Sequence, residues 1–279
     1  MKYLRIKPTD LAGLTQFKIP IQKISELKAL PISTNESIYY REFPNDCENF
    51  VLILHGMGGD SRYLTQLATC LADSKRFHVV TPDLPFHGPK AWRKEVKLSD
   101  PHYVLHQIDF ILENLANGKK FKNIFVIGHS LGAAILLKWL EEKLNPNVKD
   151  VLLVAPYLSK PYFIETDLFS QWVRKEEDFF HLLIDPKLRI GTEVESYHQS
   201  YLQGCISESL DLNKIVEKVN SLNILISEDD LIISAENIKK YFKDDHRVNL
   251  IIEKGLSHLG LLTSPEQTEK IKELMLQWL

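Results

Sequence analysis

Ile124-Phe125-Val126-Ile127-Gly128-His129-Ser130-Leu131-Gly132 decides the fold of this chain. An apolar, β-branched run stops at a glycine, a serine stands two residues on, and a second glycine stands two residues beyond that. A helix-patterned stretch then runs from Leu131 to Lys143. A strand before Ser130 and a helix after it put the serine on a sharp, strained turn that exposes its hydroxyl. The two glycines are steric requirements, because strand and helix backbones crowd together there and leave no room for a Cβ. The helix that opens at the serine aims free N–H groups and a positive dipole end at any negative charge that forms nearby. The pentapeptide alone arises by chance; its setting between strand and helix makes it informative.

Outward from this point the chain alternates. Apolar runs at Phe50–Leu54, Phe77–Thr81, Asn123–Ile127, Val151–Val154, Leu222–Ser227 and Val248–Ile252 read as strands. Several are apolar on both faces, the pattern of buried parallel strands. Helix-patterned stretches lie between and after them, at Tyr63–Leu71, Tyr103–Leu115, Leu131–Lys143, Ala235–Phe242 and Glu266–Leu279. That order implies an α/β fold, a mostly parallel sheet covered on both sides. Leu30–Ser33 and Ser37–Glu42, around Thr34-Asn35-Glu36, read as an antiparallel entry hairpin. Residues 1–26 carry no readable role. Residues 156–218 break the alternation: no strand pattern is evident, aromatics such as Tyr157, Tyr162, Phe163, Phe169, Trp172, Phe179 and Phe180 accumulate, and charges gather at Arg174-Lys175-Glu176-Glu177-Asp178. Such a length implies a segment with its own structure. It enters where strand C-termini gather, so a helical lid over that edge is expected, with residues 1–155 and 219–279 as the core.

Composition excludes several classes. The 279 residues are 44% hydrophobic and 25% charged, ordinary for a globular protein. A net charge of −3 argues for neither nucleic acid nor an acidic membrane surface as a partner. Cys47, Cys70 and Cys205 are odd in number and far apart, which fits free thiols in a reducing, cytoplasmic setting. Met1–Pro8 has no apolar core of a secretory signal, and no apolar run is long enough to span a bilayer, so no stable membrane insertion is expected.

A second motif, Leu52-Ile53-Leu54-His55-Gly56-Met57-Gly58-Gly59, ends a strand in a glycine-rich turn whose N–H groups can face a ligand. Acyl transfer needs two N–H donors at its oxyanion. Leu131, after the serine, supplies one and Met57 is the candidate for the other. Serine also needs a base, and the base an orienting acid. Of ten histidines, His258 follows the last strand and emerges at the edge where Ser130 does. His246 precedes that strand and lies at the opposite edge. His87 reads as a turn brace, His129 should point away from the serine, and His102, His106, His181 and His198 read as surface or packing residues. The acid comes from Glu228-Asp229-Asp230, after Leu222–Ser227. Asp230 completes the order serine, acid, histidine, with Asp229 its near rival and Glu228 a distant one.

From about residue 30 onward the chain resembles the α/β-hydrolase superfamily, most closely carboxylesterases and monoacylglycerol-lipase-like hydrolases. The resemblance rests on His55-Gly56-Met57-Gly58-Gly59, Asp83-Leu84-Pro85-Phe86-His87-Gly88, Gly128-His129-Ser130-Leu131-Gly132 and the loops of Asp230 and His258, in that order. The family's aspartate followed three residues later by Val or Ile, matched by Asp230 and Ile233, selects Asp230 over Asp229. Its Gly-x-x-His is matched by Gly255 to His258. One departure is Ser227, where the family often has glycine. The resemblance implies about eight sheet strands, a cap inserted after the sixth, no cofactor and no metal. A serine at the elbow argues against the dehalogenases and epoxide hydrolases of this fold, which use aspartate. It implies hydrolysis through an acyl-enzyme, with Ser130, Asp230 and His258 catalytic and Met57 and Leu131 as the oxyanion hole. An aromatic-rich lid fits a small, apolar ester of short or medium chain, or a monoacylglycerol. Lid carboxylates Glu165, Asp167, Glu176, Glu177 and Asp178 leave open a peptidase of the proline-iminopeptidase type. A non-catalytic binding protein is the reading from a different class.

Overall fold

The alternation read from the sequence folds into one large sheet with helices packed along it. The structure, a computed structural model, describes residues 25–88, 95–96, 100, 102–117, 121–142, 148–158, 173–182, 196–207, 209–242 and 245–279. The chain starts with the hairpin β1 (Leu27–Ser33) and β2 (Glu36–Phe43), then β3 (Asn49–Leu54), α1 (Thr65–Asp73), β4 (His78–Pro82) and the two-residue β5 (Glu95–Val96). Next come α2 (Tyr103–Ile111), which runs into a π-helical turn at Leu112–Asn117, then β6 (Asn123–His129), α3 (Leu131–Glu142) and β7 (Val148–Val154). Short strands β8 (Val173–Glu176), β9 (Phe179–Leu182) and β10 (Ser196–His198) precede α4 (Gln199–Cys205) and α5 (Leu212–Val216). The chain ends with β11 (Ser221–Ser227), α6 (Ala235–Phe242), β12 (Val248–Glu253), α7 (Gly260–Thr263) and α8 (Pro265–Leu276).

The main sheet has eight strands in the order β1-β2-β4-β3-β6-β7-β11-β12. The pairs β1–β2 and β2–β4 are antiparallel, and every pair from β4 to β12 is parallel. All residues of β3 and β4 are buried, as runs without polar alternation require. α1 packs on β4 and beside α8, while α3 packs on β6 and beside α2. Strand order reverses around β3: the chain moves from β3 outward to β4 and later returns on the other side as β6. Connections leave the C-terminal ends of β3 and β6 in opposite directions, which opens a crevice there. In that register Leu54 lies opposite Gly128, so the glycine-rich turn and the serine turn emerge side by side.

The segment 156–218 enters after the sixth strand of the main sheet, and the expectation that it holds no strand is corrected. Its described residues hold three strands before α4 and α5. These form a second sheet, β5-β10-β9-β8, apart from the main one. β8 and β9 are a tight antiparallel hairpin around Glu177-Asp178, with Glu177 in the left-handed region at φ 50°. Strands of three or four residues are too short for period-two alternation to show, and β5, the partner of β10, lies about a hundred residues upstream. Tyr162, Phe163, Phe169 and Trp172 lie outside the described residues, as do residues 1–24.

The two glycines flanking Ser130 have the steric role their positions implied. A Cβ on Gly128 would lie 2.6 Å from the Ala133 Cα, and one on Gly132 would lie 2.6 Å from the carbonyl oxygens of Leu54 and His55. Both obstacles are backbone, so neither can step aside. Gly128→Val and Gly132→Val should each cost about 2–3 kcal/mol or prevent folding, measured by urea unfolding. Gly255, at φ 72° with open space around its Cβ position, should lose only about 1 kcal/mol as alanine.

Candidate active site

Ser130 caps the crevice between β3 and β6. Its backbone is left-handed, φ 52°, a conformation uncommon for a residue with a Cβ. Four backbone bonds hold it there. The Ser130 N–H donates to the Val154 carbonyl at 2.9 Å, and its own carbonyl accepts from Ala133, Ala134 and Tyr157, each at 3.1 Å. The bonds to β7 and to the residues after it bind the turn to the neighbouring strand, so the strain is borne by sheet and helix together.

The glycine-rich turn lies directly against this elbow. A Cβ on Gly56 would sit 3.1 Å from the Ser130 Cβ. His55, fully buried, holds the turn: its Nε2 accepts the Leu84 N–H at 2.8 Å, so its Nδ1 carries the proton and donates to the Gly56 carbonyl at 2.8 Å. Asp83 holds the other end by accepting the Ser61 N–H at 2.8 Å. His87 braces the Asp83–Gly88 loop, donating from Nδ1 to the Pro85 carbonyl at 2.9 Å and accepting the Tyr197 hydroxyl at Nε2 at 2.8 Å. The turn is thereby linked to the second sheet through β10. Among the described residues the Met57 and Leu131 N–H groups have no hydrogen-bond partner.

His258 and Asp230 meet at the same edge. The His258 Nδ1 donates to Asp230 Oδ2 at 2.7 Å, and both side chains are buried. The other carboxylate oxygen accepts the N–H groups of Ile232 at 2.8 Å and Ile233 at 3.0 Å, which fixes the carboxylate plane. Its neighbours do other work. Asp229 is exposed and accepts the Gly255 N–H at 2.6 Å, bracing the two loops, while Glu228 pairs with Lys239 and Lys254 at the surface. Ser227 is fully buried and its hydroxyl accepts the Asp229 N–H at 3.2 Å, so a side chain is accommodated where the resemblance led one to expect glycine. His258 lies beside the elbow as well. The His129 ring, buried beneath it, sits 4.5 Å from the His258 ring centre to centre and bonds the His258 carbonyl at 3.1 Å. No hydrogen bond joins the Ser130 hydroxyl to His258 among the described residues; such bonds tighten when substrate closes a site.

Other histidines have different surroundings. His246 is exposed ahead of β12, and His102 and His106 pair with Glu142 and Asp100 near the surface. His198 accepts the Ser200 N–H at the start of α4. Sequence reasoning gave no weight to Tyr63, which lies 66 residues from His129 yet bonds it at 3.0 Å. A lone tyrosine at the start of a helix carries no signal that would reveal this. Among the described residues no group of three His, Cys, Asp or Glu side chains is placed to hold a metal ion, and no helix is long and apolar enough to cross a membrane. All three cysteines are free.

The family described as alpha/beta hydrolase fold matches residues 49–195, more than half of the chain. This chain belongs to that family. Two curated relatives, both named "Putative esterase/lipase 2", come from Mycoplasma pneumoniae and Mycoplasma genitalium. The first is 29% identical over 145 residues, 50% of this chain and 51% of the relative; the second is 31% identical over 114 residues, 40% of each. The chain thus spans 51% and 40% of the length of these two relatives. A monoglyceride lipase from Saccharomyces cerevisiae, solved with a substrate analogue, shares the hydrolase fold with a TM-score of 0.68 at 17% identity, over 91% of this chain and 94% of that one.

Burial sets the charge state of three histidines of this α/β hydrolase. Burial lowers His55 to about 4 and His87 to about 3, and holds His129 well below the usual histidine range. These rings stay neutral, as their one-donor, one-acceptor bonding requires. Burial also pushes Asp83 up to about 6. An unfolded chain takes up histidine protons near 6.5, so below that pH it binds more protons than the folded one. Stability contributed by these rings is therefore lost as the pH falls from about 6.5 through about 4 for His55 and about 3 for His87, opposed by Asp83 below about 6. Imidazole 15N spectra at pH 5.5 should show His55 and His87 uncharged; a protonated ring for either would contradict the bonding described here.

Proposed function

We propose that this protein is a serine hydrolase that cleaves a carboxylic ester through an acyl-enzyme. The observation that carries the reading is a serine in left-handed backbone at the switch point of the sheet, with a buried His258–Asp230 pair beside it at the same edge. In this reading Ser130 attacks the ester carbonyl while the His258 Nε2 takes its proton. Nε2 is the nitrogen left bare because Nδ1 donates to Asp230. Asp230 holds the imidazole in that tautomer and offsets its positive charge. The N–H groups of Met57 and Leu131 would stabilise the tetrahedral oxyanion. His258 then returns the proton to the leaving alcohol, and water repeats the sequence to release the acid.

The names of the Mycoplasma relatives and of the yeast lipase favour an ester substrate. We take residues 1–155 and 219–279 as the core and 156–218 as a cap over the crevice. The Tyr197–His87 bond, which joins β10 to the loop beside the glycine-rich turn, supports that placement. Of the carboxylates that would capture a peptide amino terminus, Glu165 and Asp167 lie outside the described residues. Glu176, Glu177 and Asp178 are exposed on the β8–β9 hairpin, with Glu176 paired to Arg174 at 2.8 Å. That disposition favours a solvated hairpin over a peptidase subsite. A cytoplasmic, cofactor-independent enzyme acting on a small apolar ester is the whole of the proposal.

Ser130→Ala should abolish both ester hydrolysis and labelling by a fluorophosphonate while the protein still folds. Unreduced labelling of the variant would refute the mechanism, and a wild-type protein that neither labels nor hydrolyses would favour a binding protein. Across a series of p-nitrophenyl esters set beside aminoacyl anilides, turnover should be confined to the esters.

Asp230→Asn should lower turnover on the order of 10²–10⁴-fold, since an amide favours the wrong tautomer and carries no charge. Asp229→Asn should be mild, because Asp229 only braces Gly255. The reverse ranking, read from kcat, would move the acid by one residue.

A further inference from the structure

Beneath the site, two buried side chains outside the proposed catalytic set bridge all three of its loops. The Gly56 N–H donates to the Tyr63 hydroxyl oxygen. Tyr63 in turn lies 3.0 Å from His129 Nδ1, and His129 Nε2 lies 3.1 Å from the His258 carbonyl oxygen. The direction of the chain is forced. A carbonyl only accepts, so His129 Nε2 carries a proton. The ring is neutral, so Nδ1 is bare and accepts, and Tyr63 must donate to it. That leaves the hydroxyl's lone pair for Gly56. Every donor meets one acceptor, and the phenol stays protonated because burial raises its ionisation far above the usual range. Tyr63 and His129 are 3% and 1% exposed, so water cannot substitute for either partner.

We propose that Tyr63 and His129 are positioning residues that lock the oxyanion turn, the serine elbow and the histidine loop into one unit. The inference rests on the hydrolase reading above. Gly56 carries the turn that presents Met57, His129 is bonded in sequence to Ser130, and the His258 carbonyl belongs to the base itself. A displacement at any of the three members is transmitted to the other two. The neutral ring of His129, 4.5 Å from that of His258, also adds no positive charge to oppose the imidazolium that forms during turnover.

The test uses the full chain with a p-nitrophenyl butyrate assay, circular dichroism to confirm folding, and imidazole 15N spectra. Tyr63→Phe keeps the ring and removes the hydroxyl; kcat should fall about 10- to 100-fold with KM within about threefold. His129→Leu should do the same. His129→Gln, whose amide offers one acceptor and one donor, should recover part of the loss and serves if Tyr63→Phe does not fold. The double variant Tyr63→Phe/His129→Leu should be little worse than either single one, as for residues acting as a unit. A folded Tyr63→Phe with wild-type kcat, a change confined to KM, or additive losses in the double variant would overturn the proposal. Should the wild-type protein show no esterase activity, the hydrolase reading fails while the spectra still test the chain. They should show an uncharged His129 protonated at Nε2, with its Nδ1 signal displaced in Tyr63→Phe; an Nδ1-protonated His129 overturns it.

Discussion

The architecture depends on how closely one helix can approach two strands. α3 begins immediately where β6 ends, and its first turn rests on the last carbonyls of β3, where Gly132 leaves no space for a side chain. Only that approach lets a serine stand at the junction in left-handed backbone. For a residue with a Cβ that conformation costs on the order of 1–2 kcal/mol, offset by the bonds its N–H and carbonyl make to β7, to α3 and to Tyr157. The strain is thus held by the parts of the molecule that are hardest to move. The topology supplies the rest: because strand order reverses at β3, the glycine-rich turn has nowhere to go but beside the serine.

Much of this was legible in the sequence because the signals are local and repeated. Phe50–Leu54 and Asn123–Ile127 are apolar on both faces and bounded by turn residues, so their burial and their order could be read directly; the observed strands differ from those ranges by only a residue or two at either end. The steric role of the two elbow glycines and the meeting of the Asp230 and His258 loops were legible for the same reason, since each is a short pattern at a defined place. The strands within 156–218 left no trace because β8, β9 and β10 are too brief to show alternation, and because β5, the partner of β10, lies far upstream in the chain. Tyr63 escaped notice for a related reason. Its value lies in a contact with His129, and a pairing across 66 residues leaves no trace in composition or periodicity.

Histidine is used here in two opposed ways. His55, His87 and His129 are deeply buried, and each spends one nitrogen as a donor and the other as an acceptor. Imidazole suits that task because it is the side chain that offers both on opposite sides of a rigid ring. Such rings behave as structural pieces whose value depends on staying uncharged. His258 differs in having a carboxylate, that of Asp230, as the partner of its Nδ1. Neighbouring rings of one chemical type are therefore sorted by partner rather than by position.

The small second sheet has a consequence for how this molecule can be taken apart. β5, at Glu95–Val96, comes from the stretch between β4 and α2, yet it pairs in parallel with β10. The outer layer is consequently not a contiguous cassette. A chimaera made by exchanging residues 156–218 for the corresponding stretch of another hydrolase would leave Glu95–Val96 an unpaired edge, and would remove Tyr197 from His87. Recombination that respects this boundary must carry two separate pieces of chain at once, so the two halves of the outer layer are expected to change together in descent.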